Sequence, residues 1–436
     1  MTAGPLVSWL LEQEARALLT RLEEIKPFAI HETMVPAANL SPAAQLGIER
    51  TVADGRTALR RRVLGYLGWL RGPGRAASPA DQQRRFVVLR LQFNNVLTQF
   101  DLFTEVVTQR SEHGTGVWLS GLDALAADAL RLPGDYFEPP PVACYLARGP
   151  GAAIRRARTR LPGGASNPIA IIRVPRERMV GHGIASSLIH EVGHQAAALL
   201  SLVPSLRSCL QAVQRRRGPA GRAPWACFEK WISEIAADYW SVGMLGIGST
   251  LGLIGVVSLP ALFVYRPSGE DPHPIPWLRV LISCGIGDAL YPHPQWATLA
   301  RVWTSMYPPH RLAPGYARTL ARLNATIPEF VRILVNHHPP ALRGRSLRDV
   351  MPIRDRRPER LLELFANWRD SPAAMVHAPP SLVFASVGQA RAAGRVTPEW
   401  ESRALGGLLT AWAVRSSLDV TELCAVRTTP AAVPAA

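Results

Sequence analysis

Apolar residues recur at helical spacing through most of this chain, in blocks separated by Gly and Pro. Leu10, Leu11, Leu18, Leu22 and Ile25 line one face of a helix predicted over 5–26. Ile48, Val52, Leu59, Val63, Leu67 and Leu70 do the same for 43–71, and Gly72-Pro73-Gly74 ends that run. A long helix over 80–109 follows through Leu91, Val96, Phe100, Phe103 and Val107. A fourth, over about 117–131, comes after Gly114-Thr115-Gly116. Together these predict an N-terminal helical bundle spanning 1–132.

From Pro133 the pattern changes, and Pro139-Pro140-Pro141 reads as a linker. Val142–Leu146 and Ile169–Val174 are short, β-branched and bounded by Pro and Gly, which predicts two strands. The arginine-rich segment between them reads as an exposed strand or hairpin. Residues 203–226 carry Arg215-Arg216-Arg217-Gly218-Pro219 and read as a surface excursion. Residues 239–265 contain no charge and are punctuated by Gly243, Gly246, Gly248, Gly252, Gly255 and Pro260. The punctuation predicts a pair of buried helices packed closely through glycine, a membrane span being the alternative. Helices are predicted over about 294–306, 313–338, 358–369 and 395–417. The expected class is mainly α with a small sheet (α+β), in three units: 1–132, 133–292 and 293–436.

Composition narrows the functions. Apolar residues at 47% and charged residues at 19% describe a globular chain, not a disordered one. The net charge of +16 would suggest an anionic partner, but Lys26 and Lys230 are the sole lysines and the rest of the basic residues are arginine. That bias, with abundant Ala, Gly and Pro, reads as the codon usage of a GC-rich, bacterial-type genome. The arginines lie in scattered clusters without an interleaved aromatic platform, so no specific nucleic-acid partner is expected. A cationic groove for an acidic substrate or partner surface fits them better. The five cysteines are widely spaced and form no C-x-x-C pair, which points to a reducing compartment rather than a disulfide framework. The first residues lack a basic n-region, and Glu12 and Glu14 interrupt their apolar run. No secretory signal is read there, and a cytoplasmic location is expected.

The candidate chemistry lies in two apolar helices. Residues 184–202 contain His190-Glu191-Val192-Gly193-His194 among Ala, Leu and Ile. On a helix, residues four apart share a face, so both imidazoles can reach one Zn²⁺. Glu191 lies one step round, where it can accept a proton from water activated by the metal. The third ligand is sought in 225–240, where Glu234 and Asp238 are again spaced four apart in an apolar setting. Glu234 is the expected ligand. Asp238 is expected to fix a ligand histidine through its second ring nitrogen. Two acids in salt bridges with arginine are the alternative.

This pattern, H-E-x-x-H followed some tens of residues later by E-x-x-x-D, resembles that of the gluzincin metallopeptidases. His190, Glu191, His194, Glu234 and Asp238 match it, over two helices only. Downstream, His273-Pro274 with Arg279 is similar to the H-P-x-x-x-x-R element of CAAX-type membrane proteases. The resemblance implies a Zn²⁺-dependent peptidase acting on a peptide or protein substrate. It also implies an edge strand that pairs with the substrate, directly before the H-E-x-x-H helix. His190, His194 and Glu234 would hold the metal and Glu191 would be the base. His273 or Arg279, or failing them Tyr239, would stabilise the oxyanion. A non-catalytic helical scaffold with a structural or vestigial zinc site is the alternative, and a host-directed effector protease is a third reading.

Overall fold

A computed structural model describes residues 3–428 apart from 150, 162, 163, 177–180, 268 and 370. Helices dominate, with one small sheet among them.

The chain opens with α1 (Ala3–Glu23), α2 (Phe28–His31), α3 (Pro42–Arg71) and α4 (Pro79–Thr108). The two long helices start the same way. Ser41 and Ser78 each accept a hydrogen bond from the backbone N–H three residues on, with proline directly after them. Leu18, Leu22, Val52, Leu59, Phe93 and Phe103 close the core of this bundle. The next helix, α5 (His113–Leu130), belongs elsewhere. Leu119, Leu122 and Leu125 pack into the larger core that holds most of the remaining chain. The bundle of the sequence reading therefore ends one helix earlier in its packing.

Three strands follow: β1 (Val142–Ala147), β2 (Ala153–Arg155) and β3 (Ala170–Pro175), in the order β1-β3-β2. β1 runs parallel to β3, with Val142 opposite Ala170, and β2 is antiparallel, with Ala153 opposite Arg173. Side chains alternate between the two faces of a strand. Ala143 and Ile171 accordingly enter the N-terminal core, while Cys144, Ile172 and Val174 enter the larger one. This thin sheet is the partition between the two cores. The buried Arg110 locks it to α5, bonding Asp123 at 2.9 Å and the Cys144 carbonyl at 2.6 Å.

The larger core is built on α6 (Gly181–Leu199), α7 (Leu202–Arg215), α8 (Pro219–Leu245) and α9 (Ile247–Val257). Residues 203–226, read from sequence as a surface excursion, are largely helical. Leu202, Leu206 and Leu210 of α7 are buried, an amphipathic face that the arginine run masks in the sequence. The uncharged stretch 239–265 finishes α8, turns at Gly246 (φ +57°) and forms α9 and the short α10 (Ala261–Val264). Among the described residues no single helix is long and apolar enough to cross a membrane. Together α6 and α7 have the length and composition of a broken span, but they are bent by 77°.

Glycine sets the crossing of α6 and α8. A Cβ at Gly193 would lie 2.8 Å from the Ala237 carbonyl oxygen and 2.9 Å from the Ala237 Cα, so a side chain there would force the helices apart.

The chain closes the core with α11 (Pro276–Leu290), α12 (Gln295–Met306), α13 (Pro314–Val335), α14 (Leu347–Val350), α15 (Pro358–Arg369), α16 (Pro372–His377), α17 (Pro380–Ala392) and α18 (Pro398–Thr428). Trp303, Phe330, Phe384 and Trp412 from these helices share one cluster with Ile189 and Ile235 of α6 and α8. Arg356, buried, donates to the Met244 carbonyl at the end of α8 and to the Ser381 hydroxyl of α17, both at 2.8 Å.

Candidate metal centre

Two helices and one loop bring the candidate residues together. α6 presents His190, Glu191 and His194, and the adjacent face of α8 presents Glu234 and Asp238. The loop before α11 supplies His273, and the first turn of α11 supplies Arg279.

His190 Nε2 lies 3.2 Å from Glu234 Oε2, and His194 Nε2 lies 3.5 Å from the same oxygen. One donor atom from each of the three residues fits within 4.8 Å of the others. Zinc bonds of 2.0–2.2 Å at tetrahedral angles place neighbouring donors about 3.3–3.6 Å apart. The His194–Glu234 separation falls in that range and the His190–Glu234 separation just below it, and two imidazoles with one carboxylate are a donor set suited to zinc.

The groups behind the donors fix their orientation. His190 Nδ1 lies 2.8 Å from Asp238 Oδ1, which leaves Nε2 facing the convergence point. Asp238 is in turn held by Arg279, Nε to Oδ2 at 2.7 Å and Nη2 to Oδ1 at 2.8 Å. The two acids thus differ in their partners: Glu234 faces His190, His194 and His273, while Asp238 stands between His190 and Arg279.

The groups of the cluster favour one another's charged forms. Burial alone would raise the Glu234 carboxyl, but hydrogen bonds from His190, His194 and His273 reverse this and hold it far below the carboxylate range. Asp238 behaves alike: burial is outweighed by Arg279 and His190. Burial would lower His190, yet the charge and hydrogen bond of Asp238, with Glu234, push it up to about 9. Arg279 is likewise held above its ordinary value, since Asp238, Glu234 and Glu191 overcome its burial.

His273 approaches the same oxygen from outside, Nε2 to Glu234 Oε2 at 3.1 Å, with its side chain 48% exposed. Its Nδ1 lies 2.6 Å from Asp271 Oδ1, and its backbone N–H donates to that carboxylate oxygen at 3.0 Å. The hydrogen bond to Glu234, opposed by burial, raises its pKa, and Asp271 adds to the effect. Asp271 was missed in the sequence, although Asp-Pro-His places an acid two residues before the histidine, within reach of its ring.

Glu191 is buried and lines a cavity together with His190, Asp238, His273 and Arg279. Tyr239 does not face this cavity. Its phenol, one helix position on from Asp238, is buried towards Tyr291 and Arg348, and burial pushes its pKa well up. It is not placed to act as the oxyanion donor. His337 is also remote from the centre and bonds the Ser205 hydroxyl at 2.7 Å. Compared with protein-family models, curated proteins and solved structures, the chain matches none of them.

Proposed function

We propose that this protein is a zinc-dependent peptidase. The observation that carries the reading is the position of Glu191. Three donors, His190, His194 and Glu234, converge without it, and a purely structural zinc site has no use for a further buried carboxylate in the adjoining cavity. A bound Zn²⁺ would supply Lewis-acid polarisation of a scissile carbonyl and would lower the pKa of a water in its open position.

The remaining steps belong to the chain. Glu191 takes the proton of the attacking water and delivers it to the leaving amine. His273 stands at the exposed side of the centre with its ring fixed by Asp271 and its Nε2 beside Glu234, a position from which it can donate to an oxyanion developing next to that carboxylate. Arg279 holds Asp238 and through it the His190 ring, and its Nη2 also lies 3.4 Å from each ring nitrogen of His190. Gly151 and Ala152 line the cavity just before the edge strand β2, so an extended peptide pairing with β2 would lead into the site.

Metal analysis of the purified protein tests the first half of the reading. About one zinc per chain is expected, lost in His190→Ala and in Glu234→Ala. Full zinc retention in both variants would sink the assignment.

A further inference from the structure

The cavity that Glu191 lines runs from the metal centre between α6, α8, α9 and α11, with a volume of about 140 Å³ in all. Its floor is made of serines. Ser186 Oγ donates to the Ser249 carbonyl at 2.8 Å, Ser249 Oγ donates to Ser241 Oγ at 2.7 Å, and Ser241 Oγ donates to the Ser186 carbonyl at 3.4 Å. Ser283 Oγ pairs with Thr250 Oγ1 at 2.8 Å. None of the four serines is more than 6% exposed.

The protons of the Ser186–Ser249–Ser241 set are all spent inside it. A hydroxyl oxygen has two acceptor positions, so each keeps acceptor capacity towards the cavity. The floor therefore offers acceptors and asks for a donor. It is also held in place, because α6 and α9 touch there: a Cβ at Gly252 would lie 2.3 Å from Ser186 Cβ. Leu253 and Val256, on the same helix as Ser249, add an apolar part to the lining.

We propose, resting on the peptidase reading above, that this cavity is the side-chain pocket for a residue flanking the scissile bond. It selects a short side chain that donates a hydrogen bond: serine, threonine or asparagine. Size sets the first limit. At about 140 Å³ the cavity is well below the roughly 300–1,000 Å³ of sites for drug-sized ligands, so it takes one small side chain. Charge sets the second. Glu191 and Asp238 both line the cavity, so an acidic side chain would meet like charge there. Each hydrogen bond gained should favour a donor side chain by roughly several- to tenfold over alanine.

The test uses zinc-loaded full-length protein and a set of short peptide hydroxamates, whose chelating group reports binding without turnover. Their variable residue is Ser, Thr, Asn, Ala, Leu or Asp, and affinities are measured by calorimetry. Ser, Thr and Asn are expected to bind up to tenfold tighter than Ala, with Leu and Asp weaker still. Ser249→Ala should flatten the Ser–Ala difference. Val256→Ala should admit Leu while keeping the preference for a donor. Equal binding across the set, preference for Leu or Asp in wild type, or no binding at all would overturn the pocket. A peptide-library cleavage profile separates the two ideas. Cleavage without enrichment of Ser, Thr or Asn beside the cut overturns the pocket and leaves the peptidase reading standing. Ranked hydroxamate binding with no cleavage overturns the peptidase reading and supports the pocket as a side-chain site.

Discussion

Arg279 holds Asp238 in a two-point grip, Nε to Oδ2 at 2.7 Å and Nη2 to Oδ1 at 2.8 Å, and Asp238 holds the His190 ring. Groups that orient a metal-ligating histidine typically contribute about 10–100-fold in metal affinity. Arg279→Lys keeps the charge but loses the fork, so a loss of roughly tenfold in zinc affinity is expected. Asp238→Asn should cost up to about a hundredfold. Competition with a chromogenic chelator measures both. Unchanged affinity in both variants would show that the relay does not orient the ligand.

Zinc should also stabilise the fold, because its ligands come from two helices of the main core. A ligand at a hundred times its Kd adds about 2.7 kcal/mol to the folded state. Thermal unfolding with and without zinc should therefore differ by several degrees. The difference should vanish in His190→Ala, and a shift of equal size in that variant would place the metal elsewhere.

Gly193 offers a purely steric test. Alanine there meets the α8 backbone at Ala237. Overpacking of this kind typically costs about 1–3 kcal/mol, and separating α6 from α8 also separates His190 and His194 from Glu234. Denaturant unfolding should show the lost stability, and chelator competition should show a parallel loss of zinc affinity. Wild-type values in both would mean that the helix contact is more compliant than its distances imply.

Much of the centre was legible in the sequence because helical spacing is a local rule. His190 and His194, then Glu234 and Asp238, sit four apart in apolar segments, and a helix puts each pair on one face. What spacing cannot show is partnership across the fold. Nothing local to Arg279 says that it will meet Asp238, and Asp271 gains its role only because its loop folds back on the centre. Tyr239 illustrates the converse, since one helix position turns it away from the cavity that Asp238 lines. At the end of α7 the run Arg215-Arg216-Arg217 masks a buried face whose Leu202, Leu206 and Leu210 are spaced four apart.

Arg110 gives a prediction with a pH sign. Burial raises the Asp123 carboxyl above its ordinary value, against the pull of Arg110. A carboxyl raised in the folded state binds more protons there than in the unfolded state. Its contribution thus falls as pH climbs from the ordinary carboxylate range to the raised value. Arg110→Met removes the cation, raises Asp123 further and widens that window. The variant should lose about 3–5 kcal/mol at neutral pH and less as pH falls and Asp123 takes up its proton. Urea unfolding at neutral and at lower pH checks this, and an equal loss at both would show that Asp123 is not the group involved.

Glu191 as the base of a zinc peptidase is tested by turnover of a broad peptide library by wild type and by Glu191→Gln at equal measured zinc content. The amide cannot accept the proton, and loss of a general base typically costs about 10²–10⁴ in rate. Zinc-loaded wild type is expected to cleave, and the variant to hold the same zinc and fall by at least a hundredfold. Equal turnover by both, or no cleavage by zinc-loaded wild type, would contradict the claim.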